Sequence, residues 1–201
     1  MKKSHLWILI FNAIYLLGFF IYYVSINNYE FVWYIFVIVI IGTIIGLNLK
    51  QSRLSNGILW MLSIWGILHM VAGGFRIDGT TLYSLKLIKI FEGEGQFYIL
   101  KMDQVVHFYG FFVCSFLIYQ LLKSINASGL KNPKLIIFIS WLGSMGLGAL
   151  NEIIEFIAFV SLNKTGVGDL YNTGLDLIFN MFGALVGAFL AHKLYKNKNN
   201  F

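Results

Sequence analysis

The chain has 201 residues, of which 58% are hydrophobic and only 12% charged, and its mean hydropathy is +0.75. Soluble domains carry about 25% charged residues, so this balance excludes an ordinary soluble protein and leaves no room for a separate soluble domain. A net charge of +6 invites a nucleic-acid reading. The basic residues are scattered between apolar runs, however, as topology-setting loop charges are, and no nucleic-acid partner is expected.

A transmembrane helix takes about 20 mostly apolar residues. Six segments qualify: 6–24, 31–49, 58–75, 104–122, 135–160 and 173–194. They predict an all-α, polytopic transmembrane bundle, one integral domain over 1–201 with the lipid bilayer as its surroundings. The first segment follows Met1-Lys2-Lys3, and no small-x-small cleavage site comes after Val24, so it reads as a retained helix. Between the third and fourth spans, residues 76–103 form the longest exposed piece. Two β-prone runs, 80–91 and 96–102, flank Glu92-Gly93-Glu94-Gly95 and predict a hairpin. Leu82, Leu85 and Ile88/Lys89 also recur at helical spacing, so a membrane-surface helix is the competing expectation. The fifth span is overlong, and Gly143, Gly146 and Gly148 near its middle invite a bend or tilt. Pro133 just before it suits a helix start, Asp169 and Thr173 suit caps on the sixth helix, and the KNKNNF end reads as a frayed tail. Cys114, the one cysteine, excludes an intramolecular disulfide.

Six spans put both termini and the loops 50–57 and 123–134 on one side. That side holds Lys2, Lys3, Lys50, Arg53, Lys123, Lys131, Lys134, Lys193, Lys196 and Lys198, and no acid. The other mixes Arg76, Lys86, Lys89, Lys101 and Lys164 with Glu30, Asp78, Glu92, Glu94 and Asp169. The positive-inside rule then places both termini in the cytoplasm, below a plasma membrane.

Ionisable residues inside such spans are costly and rarely accidental. The last three spans carry Asp103, His107, Glu152, Glu155, Asp176 and Asn180. At 1.5 Å per residue, Glu152 lies about 25 Å from a helix start near Leu135, and Glu155 about a turn beyond. The fourth and sixth spans run the opposite way and begin with Asp103/His107 and Asp176/Asn180, so all six residues share one depth. Rotation agrees. Asp103, His107, Gly110 and Cys114 form one stripe; Asp176, Asn180, Gly183 and Gly187 repeat it; Ser144, Gly148, Glu152 and Glu155 make a similar line. The expected picture is a wedge of three helices, tight where the small residues lie, opening outward into an acidic pocket. Four carboxylates crowded together oppose one another's ionisation. A divalent metal, retained protons, or a salt bridge from Arg76, Lys101 or Lys164 would relieve them. His107 with Glu152, Glu155 and Asp176 suits Mg²⁺, Mn²⁺ or Zn²⁺. His69, beside Gly73-Gly74, reads first as a satisfied packing histidine, and Asn180 as a hydrogen bond between helices.

The set Asp103-xxx-His107-Phe108, Glu152-xx-Glu155 and Asp176-xxx-Asn180-xx-Gly183-Ala184 resembles the VanZ-like membrane proteins, and a related group of bacterial inner-membrane proteins of the YjdF type. The likeness to the second group extends to Gly168-Asp169, Asn172-Thr173 and His69, and it spans about 58–190. Where the VanZ-type pattern has glutamine and arginine after the glutamate, this chain has Phe156-Ile157. The resemblance implies work at the cell envelope.

The residues and the resemblance together lead to an acidic, histidine-bearing site that binds or modifies an envelope lipid head group or lipid-linked component. In the enzymatic version His107 and one of Glu152/Glu155 are the general acid and base, with Asp103 and Asp176 holding the ring or a metal. A cation- or proton-coupled transporter and a non-catalytic membrane scaffold are the alternatives.

Overall fold

In a computed structural model, residues 3–88, 100–125, 132–162 and 164–196 are described. Among them, six helices are long and apolar enough to cross a bilayer. These are α1 (Lys3–Ser25), α2 (Tyr29–Leu47), α4 (Asn56–Gly74), α5 (Met102–Ser124), α6 (Pro133–Ser161) and α7 (Leu170–Tyr195), with a single turn, α3 (Leu49–Ser52), between α2 and α4. Each expected span is present, one to three residues longer at most of its ends. The start of α1 and the end of α7 therefore lie at one end of the bundle and the polar residues at the other, called here the distal end.

The helix starts are set by local chemistry. The Asn28 side chain accepts from Phe31 N (3.3 Å), Ser55 from Ile58 N (3.5 Å), and Asn132 from Lys134 N (3.0 Å) one residue before Pro133. Asp169 caps α7 by accepting from Asn172 N at 2.9 Å. Thr173 lies inside that helix, so of the two expected caps only Asp169 serves. α6 is one continuous helix of 29 residues, about 43 Å at 1.5 Å per residue. That exceeds a hydrocarbon core of about 30 Å and carries its last turns to the distal surface.

Large apolar side chains cover the outside: Trp7, Ile14, Ile40, Phe156, Phe182 and Phe189 are exposed. In water so broad an apolar surface would aggregate; in a bilayer it is the lipid face. The tightest packing lies between α5 and α7. A Cβ on Gly183 would strike the backbone carbonyl of Phe108, and one on Gly187 that of Phe112. Only glycine lets the two backbones approach so closely. Ser115 Oγ donates to Ala184 O (2.7 Å), and Ser144 Oγ to Phe111 O (2.6 Å), tying α7 and α6 to α5 below the polar cluster. Gly110, on the expected α5 stripe, instead lies beneath the Trp65 ring of α4. The fourth span is thus central, packed by three helices rather than two.

Between α4 and α5 the described residues form strands. β1 (Arg76–Ile77) pairs antiparallel with β2 (Thr80–Thr81), a 3₁₀ turn follows at Leu82–Ser84, and β3 (Lys86–Ile88) pairs antiparallel with β4 (Leu100–Lys101). The expected run over 80–91 is therefore interrupted, and no surface helix occurs among the described residues. The first hairpin turns on Asp78-Gly79, both at positive φ (49° and 80°), the backbone that Asp-Gly favours. The expected turn at Glu92–Gly95 and the tail from Asn197 onward lie outside the described residues.

Candidate functional site

The sequence places six polar residues at one depth, and the structure brings them together around the imidazole of His107. Its Nε2 lies 3.5 Å from Asp103 Oδ1, one helical turn back, and 3.6 Å from Glu155 Oε1 on α6. Its Nδ1 lies 3.5 Å from Glu152 Oε1 and 3.1 Å from Asn180 Oδ1 on α7. Asn180 was expected to bond between helices, and it does; the group it holds is the ring. The amide oxygen facing Nδ1 makes that nitrogen a donor, and Nε2 faces the side where Asp103 and Glu155 stand.

Asp176, fully buried, belongs to a second constellation. Gln104 Nε2 donates to its Oδ1 and Asn172 Nδ2 to its Oδ2, both at 2.6 Å. Asn172 Nδ2 also reaches Asp103 Oδ2 at 3.1 Å, which joins the two groups. Gln104 closes the start of α5 as well, its Oε1 accepting from Lys101 N at 2.8 Å. Neither Gln104 nor Asn172 was among the expected site residues. Asn172 continues the Asp176–Asn180 stripe by one turn, so its spacing carried a signal. Gln104 lies beside the stripe on α5, and spacing gave no warning of it.

Glu30 is a further departure. Counted as a loop acid, it is instead buried in the first turn of α2, because that helix begins at Tyr29. Its carboxylate accepts from Gly166 N (2.6 Å) and Tyr34 OH (3.3 Å) and ties the α6–α7 connection to α2. His69 is the packing histidine expected. It contacts the rings of Phe31 and Tyr34, and its Nδ1 shares a hydrogen bond with Tyr83 OH from the 3₁₀ turn.

The expected outward pocket has the form of a packed cluster. Side-chain exposure is 15% for Asp103, 14% for Glu155, 10% for Glu152 and 5% for His107. Asp103, Glu152, Glu155 and Asp176 face one imidazole and one ammonium, Lys101 Nζ, at 4.0 Å from Asp103 Oδ2. Lys101 thus supplies part of the expected salt-bridge relief; Arg76 and Lys164 are exposed at the surface. Negative charge remains in excess at a place where desolvation makes it expensive. Glu152 Oε1 and Asn180 Nδ2 are buried and complete no hydrogen bond. Two groups of three have the donor types and spacing of metal ligands: His107 with Glu152 and Glu155, and His107 with Asp103 and Asp176, each within 4.8 Å.

A family described as predicted membrane protein (DUF2238) matches residues 6–197, which takes in the first two spans, where the sequence alone offered no resemblance. No curated protein and no solved structure matches the chain.

Proposed function

We propose a function for a chain that belongs to the DUF2238 family of predicted membrane proteins: this multi-pass membrane protein binds a lipid head group or lipid-linked component of the cell envelope at its distal end and transfers a proton through His107. The observation that carries the reading is the convergence of Asp103, Glu152 and Glu155 on one imidazole, at 3.5–3.6 Å. A histidine so placed alternates between donor and acceptor with little movement, as acid–base chemistry requires. Carboxylates stand on both sides of the ring. The site lies where a helix bundle meets the head-group layer, and its three most accessible acids keep 10–15% exposure, enough for a polar head to touch them without entering the hydrocarbon. Asp176 and Asn180 have positioning roles in this reading, through Gln104, Asn172 and the ring.

The resemblance to VanZ-like proteins supports an envelope component as substrate. The lysine-rich, acid-free terminal side supports a cytoplasmic location for both termini and an outer location for the site. Ion-coupled transport fits less well, because such sites are typically built on discontinuous helices and each of the six crossing helices here is continuous.

The test is mass spectrometry of lipids extracted from wild-type protein and from His107→Gln and Glu155→Gln, purified in mild detergent. One lipid class should be enriched at least about threefold over the bulk membrane with the wild type and fall to bulk level with both variants. The same lipid profile for all three proteins would end the proposal.

A further inference from the structure

We infer that His107, Glu152 and Glu155 form a binding site for one divalent first-row cation, with Asn180 holding the ring and a water on the ion. The inference uses the same residues as the reading above and does not depend on the lipid. Glu152 and Glu155, three residues apart on α6, present their carboxylates on one face, and His107 meets them from α5. One ligand atom from each lies within 4.8 Å of the others.

The separations from the ring are longer than hydrogen bonds. Nitrogen–oxygen hydrogen bonds run about 2.7–3.2 Å, whereas Glu152 and Glu155 stand 3.5 and 3.6 Å from the ring nitrogens. Ligands about 2.1 Å from a tetrahedral ion are about 3.4 Å from one another. Glu155 stands from Nε2 at the separation of two ligands on one ion, and Glu152 completes a group whose ligand atoms lie within 4.8 Å of one another.

The buried groups without partners point the same way, independently of the acidic charge. Asn180 is 1% exposed, and its Nδ2 has no acceptor, while Glu152 Oε1 has no donor. A water carried by an ion satisfies both at once, donating a proton toward Glu152 and accepting from Asn180. Asn180 Oδ1 at 3.1 Å from Nδ1 completes the arrangement, because a hydrogen bond on one ring nitrogen fixes the tautomer that leaves the other free to bind metal. Imidazole with two carboxylates suits Zn²⁺ or Mn²⁺.

The experiment uses the full chain in detergent, stripped with EDTA, dialysed against ZnCl₂ or MnCl₂, and analysed for bound metal after desalting. The wild type should retain about one ion per chain with one of the two metals. Glu155→Gln, nearly isosteric, should weaken binding at least tenfold while eluting as a monodisperse peak with unchanged tryptophan fluorescence. Asp78→Asn, in the exposed turn, should bind as the wild type does. Added metal should raise the wild-type melting temperature and leave that of Glu155→Gln unmoved. Retention of neither metal, or equal retention by wild type and Glu155→Gln, would overturn the site. Retention of neither metal by a wild type that still captures lipid would remove this inference alone, and metal binding lost in Glu155→Gln with the lipid profile unchanged would remove only the lipid reading.

Discussion

Two constellations share the distal end of the bundle, and they are built differently. Around Asp176 both carboxylate oxygens accept hydrogen bonds of 2.6 Å from amides on two helices, and the residue is wholly enclosed. Around His107 the carboxylates stand about an ångström further off and keep some exposure, and two buried atoms are unpartnered. A satisfied buried network specifies one packing of its helices. An unsatisfied one costs free energy in the resting protein and persists where something else completes it. On the proposed function, the contrast gives folding to the first constellation and chemistry to the second, although they lie one helical turn apart and are linked through Asn172 and Asp103.

The most direct way to break that contrast is to remove the acid at its closed side. Asp176→Ala removes the closest acceptor of Gln104 and of Asn172 where water does not reach, and each lost partner costs about 1–3 kcal/mol. The expected loss is on the order of 3–5 kcal/mol, seen as a large fall in melting temperature in detergent. Glu152→Gln, by comparison, should change stability by less than about 1 kcal/mol, because the wild-type Oε1 completes no hydrogen bond. Equal losses from the two substitutions would erase the distinction.

A smaller effect is expected where the two constellations rest on a common support. Gly183 lies one turn below Asn180, against the Phe108 carbonyl next to His107. Gly183→Ala must push α5 and α7 apart, and overpacking of this kind costs about 1–3 kcal/mol. Because the contact is backbone against backbone, no side chain can turn aside to relieve it. The separation should also weaken the Asn180–His107 hydrogen bond, so lipid capture should fall together with stability. Gly146→Ala is the matched control: a Cβ there meets nothing within 4 Å, and stability should change by less than about 1 kcal/mol.

How much of this could be read from the chain follows from the same physics. Spans are legible because hydrocarbon thickness imposes a length, and a charge inside one stands out against the apolar background. Depth and rotation follow from the fixed rise and pitch of a helix, which is why Asp103, His107, Glu152, Glu155, Asp176 and Asn180 group together from sequence alone. Gln104 and Glu30 were not legible, for different reasons. A neutral amide next to the stripe looks like an ordinary boundary residue until its partner across the helix interface is known. Glu30 depended on whether α2 began at Tyr29 or two residues later, and span boundaries are where hydropathy says least. The antiparallel pairing of 86–88 with 100–101 falls within the hairpin expected between 80–91 and 96–102, whereas the Asp78-Gly79 turn joins strands of two residues each, too short to show an alternating pattern.

The smallest expected effect concerns the aromatic cover beside the cluster and carries a pH signature. Tyr83, from the 3₁₀ turn, hydrogen-bonds His69 and stacks near Phe31. Burial holds its hydroxyl well above the usual tyrosine range, so the folded protein keeps this proton where the unfolded chain gives it up near pH 10. A group whose folded pKa is raised contributes stability that is complete below its unfolded pKa and is lost as pH rises beyond it. Tyr83→Phe should therefore cost about 1 kcal/mol for the missing hydrogen bond, constant across neutral pH. Above about pH 10 the gap between wild type and variant should narrow, because only the wild type pays for retaining the proton. Chemical denaturation at a series of pH values reads both features. A gap that widens at high pH would mean that the hydroxyl ionises more readily in the folded protein, and the Tyr83–His69 pair would then belong with the reactive constellation rather than with its cover.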